Sequence, residues 1–129
     1  MLVSLLSCSK EKLQGIHVSS ELYSSEFFQS NLNKLIEMSD NVFIISALHF
    51  LIDLDYMLND YDLYLGNLEH YDKVVWGMNI VKKLIEKYDV NELEVVVVSN
   101  DEYFKYVEVG FKYYNVTNYR HENYYTFSK

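Results

Sequence analysis

Six residues near the amino end, Ser7-Cys8-Ser9-Lys10-Glu11-Lys12, bring a thiol, two hydroxyls and two cations together directly after the apolar run Leu2–Leu6. In α/β folds the carboxyl ends of parallel strands open into the crevice where ligands bind, so an apolar segment that stops abruptly in polar residues marks a candidate site. Cys8 and Lys12 are the candidate catalytic or anion-contacting pair, because a nearby ammonium favours the thiolate, which is the nucleophile. Ser7, Ser9 and Lys10 are candidate ligand contacts beside them. A plainer arrangement fits the same residues, with Cys8 packed as a small apolar side chain and the lysines in solvent. Spacing alone does not choose between the two.

A second strand end lies at Ser46-Ala47-Leu48-His49. If its strand neighbours the first, His49 approaches Cys8 and can act as its base, with Ser46 lining the same edge. The competing reading is a polar loop histidine. Ala47–Gly66 then reads as the least regular part of the chain, with Asp53, Asp55, Asp60, Tyr61 and Asp62. Long irregular connections in small domains are often functional, so Tyr61 and Asp62 are candidate ligand contacts closing the site. Such carboxylates suit a metal, a base or sugar, water activation, or only a solvated turn. Their spacing matches no EF-hand, and the zinc-type pairs are missing, so no metal and no cofactor is assigned. The Gly-rich dinucleotide, P-loop and nucleophile-elbow motifs are also lacking.

The elements that would position these residues alternate. Leu2–Leu6, Asn41–Ser46 and Leu93–Val98 are continuous, largely β-branched runs of the kind found in strands covered on both faces. Between the first two, Phe28, Leu32, Leu35 and Ile36 recur at helical spacing over Ser25–Met38, and Ser39-Asp40-Asn41 ends that helix. A long helix beginning near Asn67 or Leu68 is marked by Val74, Val75, Met78, Val81, Leu84, Ile85 and Tyr88. After Val98, Ser99-Asn100-Asp101-Glu102 fits a capping box opening a helix over Asn100–Val109, with Gly110 as its stop. Tyr119–Ser128 is a candidate last strand. Alternating strands and helices predict an α/β, three-layer sandwich with a mainly parallel central sheet and right-handed crossovers.

At 129 residues the chain reads as one α/β domain over its whole length, large enough to bury a core unaided. Thirteen tyrosines and seven phenylalanines argue against disorder. With no proline and four glycines, turns must rely on Asn, Asp and Ser. The abundance of Tyr, Asn, Lys, Ile and Phe fits an AT-rich coding sequence, viral or microbial. A formal charge of −8 opposes non-specific nucleic-acid binding, which depends on Lys and Arg contacts to phosphate. One cysteine forms no intrachain disulfide, which makes the cytoplasm, or a host cytoplasm for a viral protein, the expected setting. No apolar run approaches the ~18 residues of a membrane span. The tyrosines from Tyr113-Tyr114 to Tyr124-Tyr125 suit base stacking, a core, or a protein contact surface.

Taken in order, Ser7-Cys8-Ser9-Lys10-Glu11-Lys12-Leu13, Glu21-Leu22-Tyr23-Ser24-Ser25 with Phe28, Ile45-Ser46-Ala47-Leu48-His49-Phe50-Leu51, Tyr61-Asp62-Leu63 and Trp76 resemble a small uncharacterised domain family of bacteria, archaea and phages. Its members read SCSKxK, ELY-S, ISAKHGLL and PYDLTL, and the resemblance spans roughly Leu2 to Val98. The layout is distantly similar to the uracil-DNA-glycosylase-like domain of archaeosine synthase, where a lysine likewise follows a cysteine by four positions. That resemblance implies a three-layer α/β sandwich and a nucleobase- or nucleotide-like ligand. The chain departs from the motifs at Leu48, Phe50 and Asp60, where the family has lysine, glycine and proline.

Two functional readings follow. In the first, an enzyme or binding domain takes a nucleobase, nucleotide or modified base, with Cys8, Lys12 and His49 as catalytic candidates and Ser7, Ser9, Lys10, Ser46, Tyr61 and Asp62 as ligand contacts. In the second, a non-catalytic viral or accessory module binds a protein partner, or a second copy of itself, through its aromatic and acidic surface. A pocket in which Cys8, His49 and Asp62 converge favours the first, and a filled crevice with a large exposed aromatic patch the second.

Overall fold

A computed structural model describes residues Met1–Lys129. Its centre is a five-stranded sheet in which β1 (Leu2–Ser7) lies between β3 (Asn41–Ser46) and β6 (Glu94–Ser99), both parallel to it. β7 (Tyr119–Asn123) adds in parallel beyond β6, and β4 (Phe50–Asp53) closes the other edge antiparallel to β3. The sheet order is therefore β4-β3-β1-β6-β7. A separate two-stranded ribbon pairs β2 (Ile16–Val18) with β5 (Met57–Asn59).

Side chains alternate across a strand, and here both faces are buried. Val3, Leu5, Phe43, Ile45, Val95 and Val97 point into one core, packed with α3 (His70–Lys87) and α4 (Asp101–Tyr113). Leu6, Ile44, Val96 and Val98 point into the other, beneath α2 (Glu26–Met38) and the carboxy-terminal residues Tyr124 and Phe127. The result is the expected α/β sandwich of three layers around a mainly parallel sheet. A short helix, α1 (Ser19–Leu22), leads from the ribbon towards α2. No helix is long and apolar enough to cross a membrane.

Several local expectations are corrected. Ala47–Gly66 is not a structureless connection, since it contains β4 and β5 and a 3-10 turn begins at Leu65. The long helix starts at His70 and buries Trp76, Gly77, Ile80, Val81 and Leu84, while Val75 is 43% exposed. Ile36 is likewise half exposed, and the polar Asn31 is buried on its helix instead. Ser99 belongs to β6, so the box does not form. Asn100 is the cap, its Oδ1 accepting the Tyr103 N–H at 3.0 Å. Gly110 lies inside α4 and crosses Gly77 of α3. A Cβ on Gly77 would sit 1.9 Å from the Tyr106 carbonyl oxygen, so this is a backbone-on-backbone contact. The last strand stops at Asn123. Beyond it the chain folds onto α2, where buried Asn31 donates to the Tyr124 carbonyl at 2.8 Å and Lys34 to that of Phe127 at 2.6 Å.

Candidate functional site

β1 delivers Cys8 to the carboxyl edge of the sheet, where the Cys8 N–H donates to the Ile45 carbonyl of β3 at 3.0 Å. The strand ends of β1 and β3 therefore meet, as their apolar runs predict. The thiol is partly buried, and its sulfur lies 3.7 Å from the Tyr103 hydroxyl on the first turn of α4. Tyr103 stays oriented because its oxygen also accepts the Leu65 N–H at 3.3 Å, and its ring meets Trp76 edge-on at 5.3 Å.

Behind Cys8 runs a chain of hydroxyls. Tyr61 is 2.6 Å from both Ser46 and Tyr23 through its OH. Ser46 Oγ also accepts the N–H groups of Leu48 and His49, at 3.2 and 3.1 Å, and so closes the turn between β3 and β4. Phe50, at the end of that turn, has a φ of 62°. That left-handed conformation favours glycine, the residue present there in the resembled motif. Lys12 Nζ rests 4.5 Å above the Tyr61 ring and donates to the Lys10 carbonyl at 3.2 Å.

Burial pushes the Cys8 thiol above its ordinary pKa. The hydroxyls of Tyr103 and Tyr61 and the charge of Lys12 oppose that shift without overcoming it. Burial also raises Tyr61, Tyr103 and Tyr23, each further raised by the Cys8 charge, and lifts Tyr124 to about 12. His49 is lowered by burial. At neutral pH the site is thus a neutral thiol among neutral phenols with a lysine beside them. The fold gathers no group of three or more His, Cys, Asp or Glu side chains placed to hold a metal ion.

These residues border a cavity of about 560 Å³ at the carboxyl ends of β1 and β6. Ser7, Cys8, Ser9, Lys10, Lys12 and Asp62 line it, six of the nine candidates. Ser46 and Tyr61 stand behind Cys8 in the hydroxyl chain, outside the lining. His49 packs edge-on against the Tyr61 ring at 5.0 Å, makes no hydrogen bond to Cys8 and does not reach the cavity, so the structure does not assemble a Cys8–His49 pair. Glu11 adds a carboxylate to the lining. The aromatic walls, Phe27, Tyr64, Tyr103, Tyr124 and Tyr125, were missing from the candidate set except for the tyrosine-rich end of the chain. Tyr103 had a legible signal. Ser99-Asn100 ends the third strand, and the strand-end rule that singles out Ser7–Lys12 applies equally there.

The family model described as a family of unknown function (DUF6884) matches residues 3–121. The chain belongs to this family. The match runs through β1, the cavity loop, α3, α4 and into β7, so the family's extent takes in all of the cavity except its Tyr124–Tyr125 wall. No curated protein and no solved structure matches the chain.

Proposed function

We propose that this α/β domain binds a planar, nucleobase-like molecule, held in the cavity at the carboxyl ends of β1 and β6. One observation carries the reading: an open space of about 560 Å³ is walled by Phe27, Tyr64, Tyr103, Tyr124 and Tyr125, while polar residues, Ser9, Asp62 and Asn100 among them, make up eight of its fifteen lining residues. Small-molecule sites are concave, with apolar and aromatic walls and placed polar groups that fix orientation. Base stacking on an aromatic side chain contributes roughly 1–3 kcal/mol and tolerates any base. The distant likeness to the uracil-DNA-glycosylase-like domain of archaeosine synthase supports the same ligand class. The cavity is open and takes in Cys8 and Asp62, which supports a ligand site, while His49 stays outside it, so the convergence expected of a catalytic site is incomplete.

Binding, rather than covalent catalysis, fits the electrostatics. The Cys8 proton has no acceptor in reach that is basic at neutral pH, since its neighbours are phenols held protonated and His49 faces Tyr61. We place the protein in the cytoplasm, in keeping with its single unpaired cysteine.

Saturation-transfer NMR on the intact protein with adenine, guanine, cytosine, uracil and their nucleosides tests the reading. At least one base should receive magnetisation, and Tyr64→Leu or Tyr125→Leu should weaken it about tenfold, as loss of one stacking wall implies. Absence of transfer to every base and nucleoside would sink it.

A further inference from the structure

The loop between Cys8 and Leu13 is unusual in its main chain. Cys8 donates its N–H to the Ile45 carbonyl and Leu13 donates to the Leu22 carbonyl, but the intervening N–H groups of Ser9, Lys10, Glu11 and Lys12 have no acceptor anywhere in the protein. Ser9 is itself buried, and its own hydroxyl is turned to the Glu11 carbonyl at 2.7 Å. Ser9 is buried and Lys12 half-buried, whereas Lys10 and Glu11 are exposed, so this run of N–H groups is open to an acceptor from outside the protein, and successive free N–H groups are the kind of donors that bind anions. All four residues line the cavity.

The side chains point the same way. Of the eleven Lys and Arg residues only Lys73, Lys112 and Arg120 form ion pairs, and among those without one Lys10 and Lys12 are the two that line the cavity. Lys12 is held by a ring and a carbonyl, contacts that leave its charge uncompensated. We infer that the Ser9–Lys12 loop is an anion subsite and that the ligand of the cavity is a phosphorylated nucleoside, its phosphate on this loop and its base against the tyrosines. Glu11 and Asp62, the acids of the same cavity, accept hydrogen bonds from ribose hydroxyls or base N–H groups and keep a second phosphate unfavourable. The inference rests on the planar-ligand reading and adds to it the charged end of the molecule.

Calorimetric titration of the intact protein with the four nucleoside 5′-monophosphates, the four nucleosides, ribose 5-phosphate and inorganic phosphate separates the two. At least one monophosphate should bind about tenfold or more tighter than its nucleoside, a step of one charge-assisted contact or more. That gap should close in the Lys10→Gln/Lys12→Gln variant. It should also shrink as salt is raised in the unaltered protein, a measurement that needs no variant to fold. A nucleoside that binds as tightly as its monophosphate overturns the anion subsite and leaves the base reading standing. Ribose 5-phosphate binding as tightly as any nucleotide leaves the subsite and removes the base. Binding of no probe overturns both.

Discussion

The sulfur of Cys8, at the end of the first strand, lies 3.7 Å from the hydroxyl of Tyr103, on the first turn of the last helix. This contact joins the two strand ends, β1 and β6, whose loops form the cavity. It also makes the thiol a partner of a phenol whose burial keeps it neutral, which sets how the site should react.

Cys8 should alkylate slowly in the native protein. Its raised pKa leaves little thiolate at neutral pH, so iodoacetamide at pH 7.5 should modify it at least about tenfold more slowly than an unfolded cysteine. Mass-spectrometric labelling with and without urea measures this. Labelling as fast in the native state as in urea would mean that the thiol is activated.

Alkali should destabilise the fold early. A group whose pKa is raised on folding contributes stability that is complete below its unfolded value and is lost as the pH climbs through the folded one. For Cys8 the unfolded value is 9.0 and for Tyr23, Tyr61, Tyr103 and Tyr124 it is 10.0, all raised by burial. Urea midpoints should therefore hold steady from pH 7 to about 8.5 and fall from about pH 9 upward. A midpoint unchanged at pH 10.5 would contradict the burial of these hydroxyls.

Tyr61→Phe removes the oxygen shared by Ser46 and Tyr23 and leaves two hydroxyls short of a partner. The expected loss is about 1–3 kcal/mol, read from urea unfolding. Because the ring survives, Lys12 keeps its seat, and ligand affinity should change less than stability.

Gly77→Ala should cost about 1–3 kcal/mol or more, since the new methyl meets the Tyr106 backbone and one of the helices must move. Gly66→Ala is the control. Its methyl meets side chains alone, Tyr64, which can swing aside, and Glu102 at ordinary contact, so its effect should stay within about 0.5 kcal/mol. Equal losses would mean that the two helices are less closely crossed than described.

At position 50, Phe50→Gly should be more stable than Phe50→Ala by about 0.5–1 kcal/mol, the reverse of the usual order in a strand. Both lose the same ring packing, and only alanine must still bear a positive φ. Thermal melts of the pair suffice.

Much of the architecture was legible because it rests on strong patterns. The runs at Leu2–Leu6, Asn41–Ser46 and Leu93–Val98 are apolar on both faces, which restricts them to a covered parallel sheet. The short elements were not legible. β2, β4 and β5 have three or four residues each, too few to show a period, and β4 and β5 are flanked by aspartates that read as loop. Helix faces slipped where glycine is the packing residue. Gly77 and Gly110 carry no hydrophobic signal, yet they set how α3 meets α4. The amino-terminal half of the site was visible in Ser7–Lys12. Most of its aromatic half was not, because Phe27 and Tyr64 come from distant segments that only the folded sheet edge gathers, while Tyr103 follows a strand end the same rule could have marked.

The cavity's far wall has a temporal meaning. Tyr124 and Tyr125 lie beyond β7 and are pinned to α2 through Asn31, so every other part of the pocket leaves the ribosome before them. The same segment that finishes the cavity also seals the core under α2 with Tyr124 and Phe127, so in synthesis the pocket and that core are completed together.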